Sequence, residues 1–155
     1  AYNFKNSKLV SDGESVFFSN NKNSFFSINS KNGTLNWTNK INSNLSPVIL
    51  GNLIISVSND GYLFVIDKKK GNIIRINDLY KKYKLKKRSN ISPIGFVVGL
   101  TNIYLTSNNG ELIVSDLTSG KVLATKKISN SLISKPFISN GNLFIIKNGS
   151  IIQYN

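Results

Sequence analysis

Acid–base or metal chemistry in this chain would have to start from seven carboxylates: Asp12, Glu14, Asp60, Asp67, Asp78, Glu111 and Asp116. There is no histidine and no cysteine, which excludes disulfides and every imidazole or thiolate metal site. General acid–base catalysis needs a paired carboxylate or a histidine of tuned pKa, and these acids are scattered along the chain. A calcium loop would gather several carboxylates, and no stretch does so. No glycine-rich phosphate loop precedes a helix, and no helix is expected. A nucleophilic serine lacks a histidine or cysteine partner, and no Ser–Lys pair stands out. Asp67 and Asp116 each stand four residues before a glycine, Gly71 and Gly120. A carboxylate repeated at that spacing reads as a turn-capping acceptor for nearby backbone N–H groups, and Asp60 falls in a hairpin turn of its own.

The other side chains with chemical potential are cationic. Twenty basic residues oppose seven acidic ones, a net charge of +13, which suits an anionic partner. The chain is also rich in Asn, Ile, Lys, Phe and Tyr, the mark of an AT-biased genome, and such a bias raises lysine over a whole solvated surface. One cluster departs from the background. Residues 80–88 contain Tyr80, Lys81, Lys82, Tyr83, Lys84, Leu85, Lys86, Lys87 and Arg88. Aromatic–basic interleaving is suited to stacking on bases with phosphate contact, to anionic head groups, or to an acidic protein face. These tyrosines, lysines and Arg88 form the candidate partner-contact set, with protein contact foremost and nucleic acid disfavoured; a solvated loop or single helical turn is the structural alternative.

The elements that position these residues are short strands. Residues 51–71 read as a strand, an Asn-Asp-Gly turn at Gly61, a second strand ending in Asp67, and a turn closing on Gly71. Asp-Gly between apolar runs signals a hairpin, since glycine takes positive φ without steric penalty. The pattern returns over residues 101–120, with Gly110 and Gly120 standing as Gly61 and Gly71 do. Nine of the eleven glycines occupy equivalent turns: Gly13, Gly51 and Gly141; Gly61, Gly110 and Gly149; Gly33, Gly71 and Gly120. The interval is about 40 residues, stretched by an insertion at residues 78–90, and each unit holds four strands, the mark of a β-propeller blade. The runs Leu53-Ile54-Ile55, Phe64-Val65-Ile66, Phe96-Val97-Val98, Leu112-Ile113-Val114 and Leu143-Phe144-Ile145-Ile146 are apolar on both faces, as blades stacked on both sides require. The expected fold is all-β: blades of four antiparallel strands at about 7–40, 45–77, 91–127 and, incomplete, 134–155. Residues 1–5 read as the tail of an outer strand.

The run of apolar strand, Asn/Asp-Gly, apolar strand ending in Asp, then glycine and a tryptophan four residues on resembles the quinoprotein-like (PQQ-like) propeller repeat. Gly33-Thr34-Leu35-Asn36-Trp37 carries the glycine-to-tryptophan spacing. Within that superfamily the chain is most similar to the C-terminal half of the BamB family of outer-membrane β-barrel assembly lipoproteins. The likeness lies in Ser46-Pro47, Ser92-Pro93, Lys135-Pro136 and the hairpin from Gly141 to Asn155. The pattern degenerates where Arg75 and Ala124 replace tryptophan and Asn29 replaces aspartate. In quinoprotein dehydrogenases the repeated tryptophan docks neighbouring blades, which assigns Trp37 to blade packing. The resemblance implies a non-enzymatic, cofactor-free periplasmic scaffold at the outer membrane, binding barrel-assembly subunits or nascent outer-membrane proteins. The alternatives are a fragment of a PQQ-dependent oxidoreductase, and a nucleic-acid or anionic-surface module acting through residues 80–88, peripheral membrane contact included. No apolar run reaches membrane-spanning length. The expected ring is roughly eight-bladed, completed by a missing half or by a second copy of the chain.

Overall fold

The computed structural model describes residues 3–154, so the expected strand tail at residues 1–5 lies partly outside the described residues. Asn3–Lys5 form no strand; Lys5 meets Asn21 instead, its carbonyl accepting from the Asn21 N–H at 3.0 Å. Four sheets follow one another along the chain. The first is β1 (Val10–Ser11), β2 (Ser15–Asn20), β3 (Ser24–Asn29) and β4 (Leu35–Asn39). The second is β5 (Val48–Leu50), β6 (Leu53–Val57), β7 (Tyr62–Asp67) and β8 (Ile73–Asp78). A single helical turn, α1 (Leu85–Arg88), precedes β9 (Pro93–Val98), β10 (Asn102–Ser107), β11 (Glu111–Asp116) and β12 (Val122–Lys127). The last sheet holds β13 (Phe137–Ser139), β14 (Asn142–Lys147) and β15 (Ser150–Tyr154). In every sheet the spatial order is the chain order. These are β-propeller blades. The expectation of no helix fails at α1, where four residues between two blades have no strand partner and close a local turn.

The chain divides into two compact units, one ending at Ile76 and the other beginning at Asn77, so β8 crosses the boundary. In the first unit the sheets pack through Phe17, Phe25, Trp37, Ile41, Ile54 and Ile66, all buried. In the second, Leu112, Val114, Ile133, Leu143 and Ile145 form the equivalent core. Middle strands bury both faces, as β6 and β11 do, while the outer strands β8 and β12 are exposed or half-buried throughout. The expectation of double burial fails for Phe96-Val97-Val98, which is only half-buried, and for β14, where Leu143 and Ile145 face the core and Ile146 faces solvent. The reason is visible in β14: its burial alternates with the two-residue period of a strand covered on one face only.

Turn chemistry follows the repeat. Every one of the nine repeated glycines has positive φ, and Asn23, at φ 60°, takes that role in the first hairpin. Asp67 Oδ1 accepts the N–H groups of Lys69 and Lys70 at 3.0 and 2.6 Å, and Asp116 Oδ1 accepts that of Ser119 at 2.6 Å. Asn29 Oδ1 does the same for Lys31 and Asn32, so the Asp-to-Asn exchange keeps the acceptor the turn needs.

The first two blades are joined by Trp37. Its ring stacks on Phe25 at 5.6 Å and its Nε1–H donates to the Lys68 carbonyl at 3.0 Å, in the turn that ends at Gly71. A Cβ on Gly71 would lie 2.5 Å from the indole, whereas Gly33, at nearly the same φ, has open space around it. Gly33→Ala should therefore cost about 1–2 kcal/mol, the strain of a left-handed residue alone. Gly71→Ala should exceed it by a further 1–3 kcal/mol or so from overpacking, measured by urea unfolding. Equal costs would mean that the Trp37 contact does not govern Gly71.

Asp12 ties the same two blades, its Oδ2 lying 2.8 Å from Lys68 Nζ. That bond, with the Ser15 N–H next, holds the Asp12 carboxyl down to about 2 from its ordinary 3.8. A folded-state pKa below the unfolded one contributes stability that is complete above the unfolded value and is lost as pH falls through the folded one. Wild-type chain should lose this increment between about pH 4 and pH 2. Lys68→Met should move the Asp12 midpoint upward and shrink that acid-sensitive increment, as read by carboxyl NMR titration and pH-dependent urea midpoints.

Candidate functional site

The insertion between the second and third blades is built on two buried tyrosines. Asp78 Oδ1 accepts the Tyr80 N–H at 3.0 Å, and Asp78 Oδ2 receives Arg88 Nη1 at 2.7 Å, closing the two ends of the loop on each other. Tyr80 is 0% exposed and its hydroxyl meets Ser107 Oγ on β10 at 2.7 Å. Burial raises its pKa to about 12, against the lowering effect of Ser107. Tyr83 is also buried, edge-on to Tyr80 at 5.6 Å, and donates its hydroxyl to Glu111 Oε2 on β11. Burial first, and the Glu111 carboxylate second, push the Tyr83 pKa well above the ordinary phenol value.

In the third blade the loop meets the acid Glu111. Burial alone would raise its pKa, but the bonds from Tyr83 and Asn109 and the charges of Lys82 and Lys87 outweigh it, so the carboxyl is held below its ordinary value. Lys82 and Lys87 lie 3.7 and 3.9 Å from Glu111, and both ammonium groups sit over the Tyr83 ring at 4.7 and 5.0 Å. They remain largely exposed, so these pairs contribute little to stability.

This arrangement corrects the reading of the interleaved aromatics. Tyr80 and Tyr83 are not a stacking platform, because their rings fill the interior between loop and sheet. Arg88 is half-buried against Asp78 rather than presented outward. The outward face of the loop is formed by Lys81, Lys82, Lys84, Leu85, Lys86 and Lys87, all exposed.

The repeated acids are bound into local structure. Asp67 and Asp116 cap turns, Asp60 accepts from Ser58 Oγ at 2.5 Å, and Asp12 and Asp78 hold cations. Among the described residues no three acidic side chains converge as a metal site would require. Gly61, Gly110 and Gly149 close the hairpins between middle strands, and Gly71 and Gly120 close the turns that follow them.

Sequence reading missed a docking residue. Asn39 and Asn77 each stand six positions after a repeated glycine, Gly33 and Gly71. Asn39 Nδ2 donates to the Gly71 carbonyl, and Asn77 Nδ2 donates to the Ser119 carbonyl at 3.2 Å. Each therefore reaches the 67–71 or 116–120 turn of the following blade. The common offset was the available signal.

Four-stranded blades, Asx-capped turns and a tryptophan docked on the next turn define a β-propeller. Residues 3–77 match the family model described as outer membrane protein assembly factor BamB, so the first half of the chain resembles that PQQ-like repeat. No curated protein sequence matches. Among solved structures, BamB from Moraxella catarrhalis superimposes with a TM-score of 0.73 at 12% identity, over 95% of this chain and 41% of that one. Saccharomyces cerevisiae Sqt1 gives 0.75 at 15% identity, over 97% and 44%. The quinohemoprotein alcohol dehydrogenase of Comamonas testosteroni gives 0.62 at 12% identity, over 77% and 20%. The chain thus spans about two fifths of the length of the BamB structure it matches.

If the repeated aspartates serve turns, Asp67→Ala and Asp116→Ala should each cost about 1 kcal/mol, the net worth of a hydrogen bond. Ile113→Ala and Ile145→Ala, at fully buried positions, should cost about 2–5 kcal/mol. Urea denaturation compares the two pairs, and equal costs would refute the assignment.

Proposed function

We propose that the chain acts without catalysis as a protein-interaction scaffold of the BamB type. It would work in the periplasm beside the outer membrane and contact barrel-assembly subunits or nascent outer-membrane proteins. The observation that carries this reading is the match of residues 3–77 to the outer membrane protein assembly factor model. The surface chemistry supports it. Ile74 and Ile76 on β8 and Leu123 on β12 are exposed apolar side chains on outer strands. Each outer strand has a sheet neighbour on one side only, which leaves backbone donors and acceptors suited to strand addition. The carboxylates of Asp12, Asp67, Asp78 and Asp116 are engaged in turns and ion pairs.

The test is direct binding. Immobilised barrel-forming subunit, and separately an unfolded outer-membrane protein kept soluble in urea and diluted, should each be titrated with the chain by interferometry. Saturable binding at micromolar concentration is expected, weakened several-fold by Ile74→Lys with Ile76→Lys. No saturation with either ligand would overturn the scaffold reading. Pyrroloquinoline quinone should leave the chain's absorption and Trp37 fluorescence unchanged; a saturable shift would favour the oxidoreductase instead.

A further inference from the structure

The loop at residues 80–88 presents two kinds of side chain at once. Lys81, Lys82, Lys84, Lys86 and Lys87 are exposed, and Leu85, at the start of the helical turn, is 85% exposed among them. Leu85 stands exposed between Lys84 and Lys86, with Lys81, Lys82 and Lys87 on the same loop, a combination that fits an apolar destination bordered by negative charge. The loop is also ordered before any partner arrives. Tyr80 is anchored on Ser107, Tyr83 on Glu111, and Arg88 on Asp78, so docking would carry little ordering penalty.

We propose that this loop docks on an anionic lipid bilayer, with Leu85 entering the acyl boundary and the lysines facing lipid phosphates. Three observations favour a bilayer over other polyanions. Nucleic acid would be gripped by stacked aromatics, and both tyrosine rings are buried. A stable protein interface needs about 20–30 residues a side, far more than a nine-residue loop offers. A fluid lipid surface demands no shape match; it rewards cations near phosphate and an apolar wedge beneath them. Lys82 and Lys87 also partly neutralise Glu111, and Arg88 pairs with Asp78, so the two acids beside the loop repel the surface less.

Each lysine close to an anionic surface raises partition about fivefold. The experiment is co-sedimentation of the chain with vesicles of phosphatidylcholine alone and of phosphatidylcholine mixed with phosphatidylglycerol. Binding should appear with the mixed vesicles and weaken as salt is raised. Replacing Lys81, Lys84 and Lys86 by serine, three lysines with no acidic partner among the described residues, should lower partition about a hundredfold. The same charge removed at Lys5, Lys8 and Lys31 should change it by no more than about twofold, which separates this loop from the general excess of positive charge. Leu85→Trp reports insertion directly, since its emission should shift to the blue on mixed vesicles only, above the constant signal of buried Trp37. Circular dichroism and urea midpoints check that each variant is folded. Equal binding to both vesicle types, no binding to either, or equal losses from the two lysine sets would overturn the proposal. So would duplex DNA capturing the chain, through the same three lysines, while mixed vesicles fail to compete.

Discussion

The structure depends on one constraint: its middle strands are apolar on both faces. A sheet such as β5–β8 buries Ile54 and Ile66 toward the first blade, and Ile55 and Val65 are buried as well. A single blade therefore cannot be stable in water alone, because covering one face leaves another row of branched aliphatics wet. Repetition is the consequence. Within each unit one sheet supplies the cover for the other, and the outer strands β8 and β12 stay exposed or half-buried.

Apolar burial is non-directional and does not by itself set the angle or register between blades. That role falls to polar contacts aimed at the turns. Trp37 Nε1 and Asn39 Nδ2 both donate to carbonyls in the turn at 67–71, and Asn77 Nδ2 reaches the equivalent turn at Ser119. The turns themselves are rigid because Asn29, Asp67 and Asp116 cap them from within. A stiff turn presents its carbonyls at a fixed place, and the neighbouring blade reads that place. Where tryptophan is replaced by Ala124, the small side chain joins the apolar core of the second unit instead.

The insertion at residues 78–90 interrupts this economy without disturbing it. Its rings, Tyr80 and Tyr83, are buried against the third blade, and Asp78 pairs with Arg88. The lysines have no such destination, since an ammonium group buried without a partner would pay several kcal/mol or so in lost hydration. Segregation of rings inward and charges outward converts an interleaved sequence into a one-sided surface.

By itself the sequence determined the four sheets, the nine glycines of positive φ and the capping role of Asp67 and Asp116. These features rest on contacts within a few residues, so turn chemistry and strand period suffice to specify them. Direction across long separations was decided only by the tertiary structure. Tyr80 finds Ser107 at a distance of 27 residues along the chain, and Tyr83 finds Glu111 at 28. Asn39 and Asn77 looked like ordinary strand-end polar residues until the next blade's turn arrived beside them. Alternating tyrosine and lysine can face either a ligand or a core, and the pattern is the same in both cases. The choice belongs to the third blade, whose Ser107 and Glu111 offer the buried hydroxyls partners that make their burial favourable.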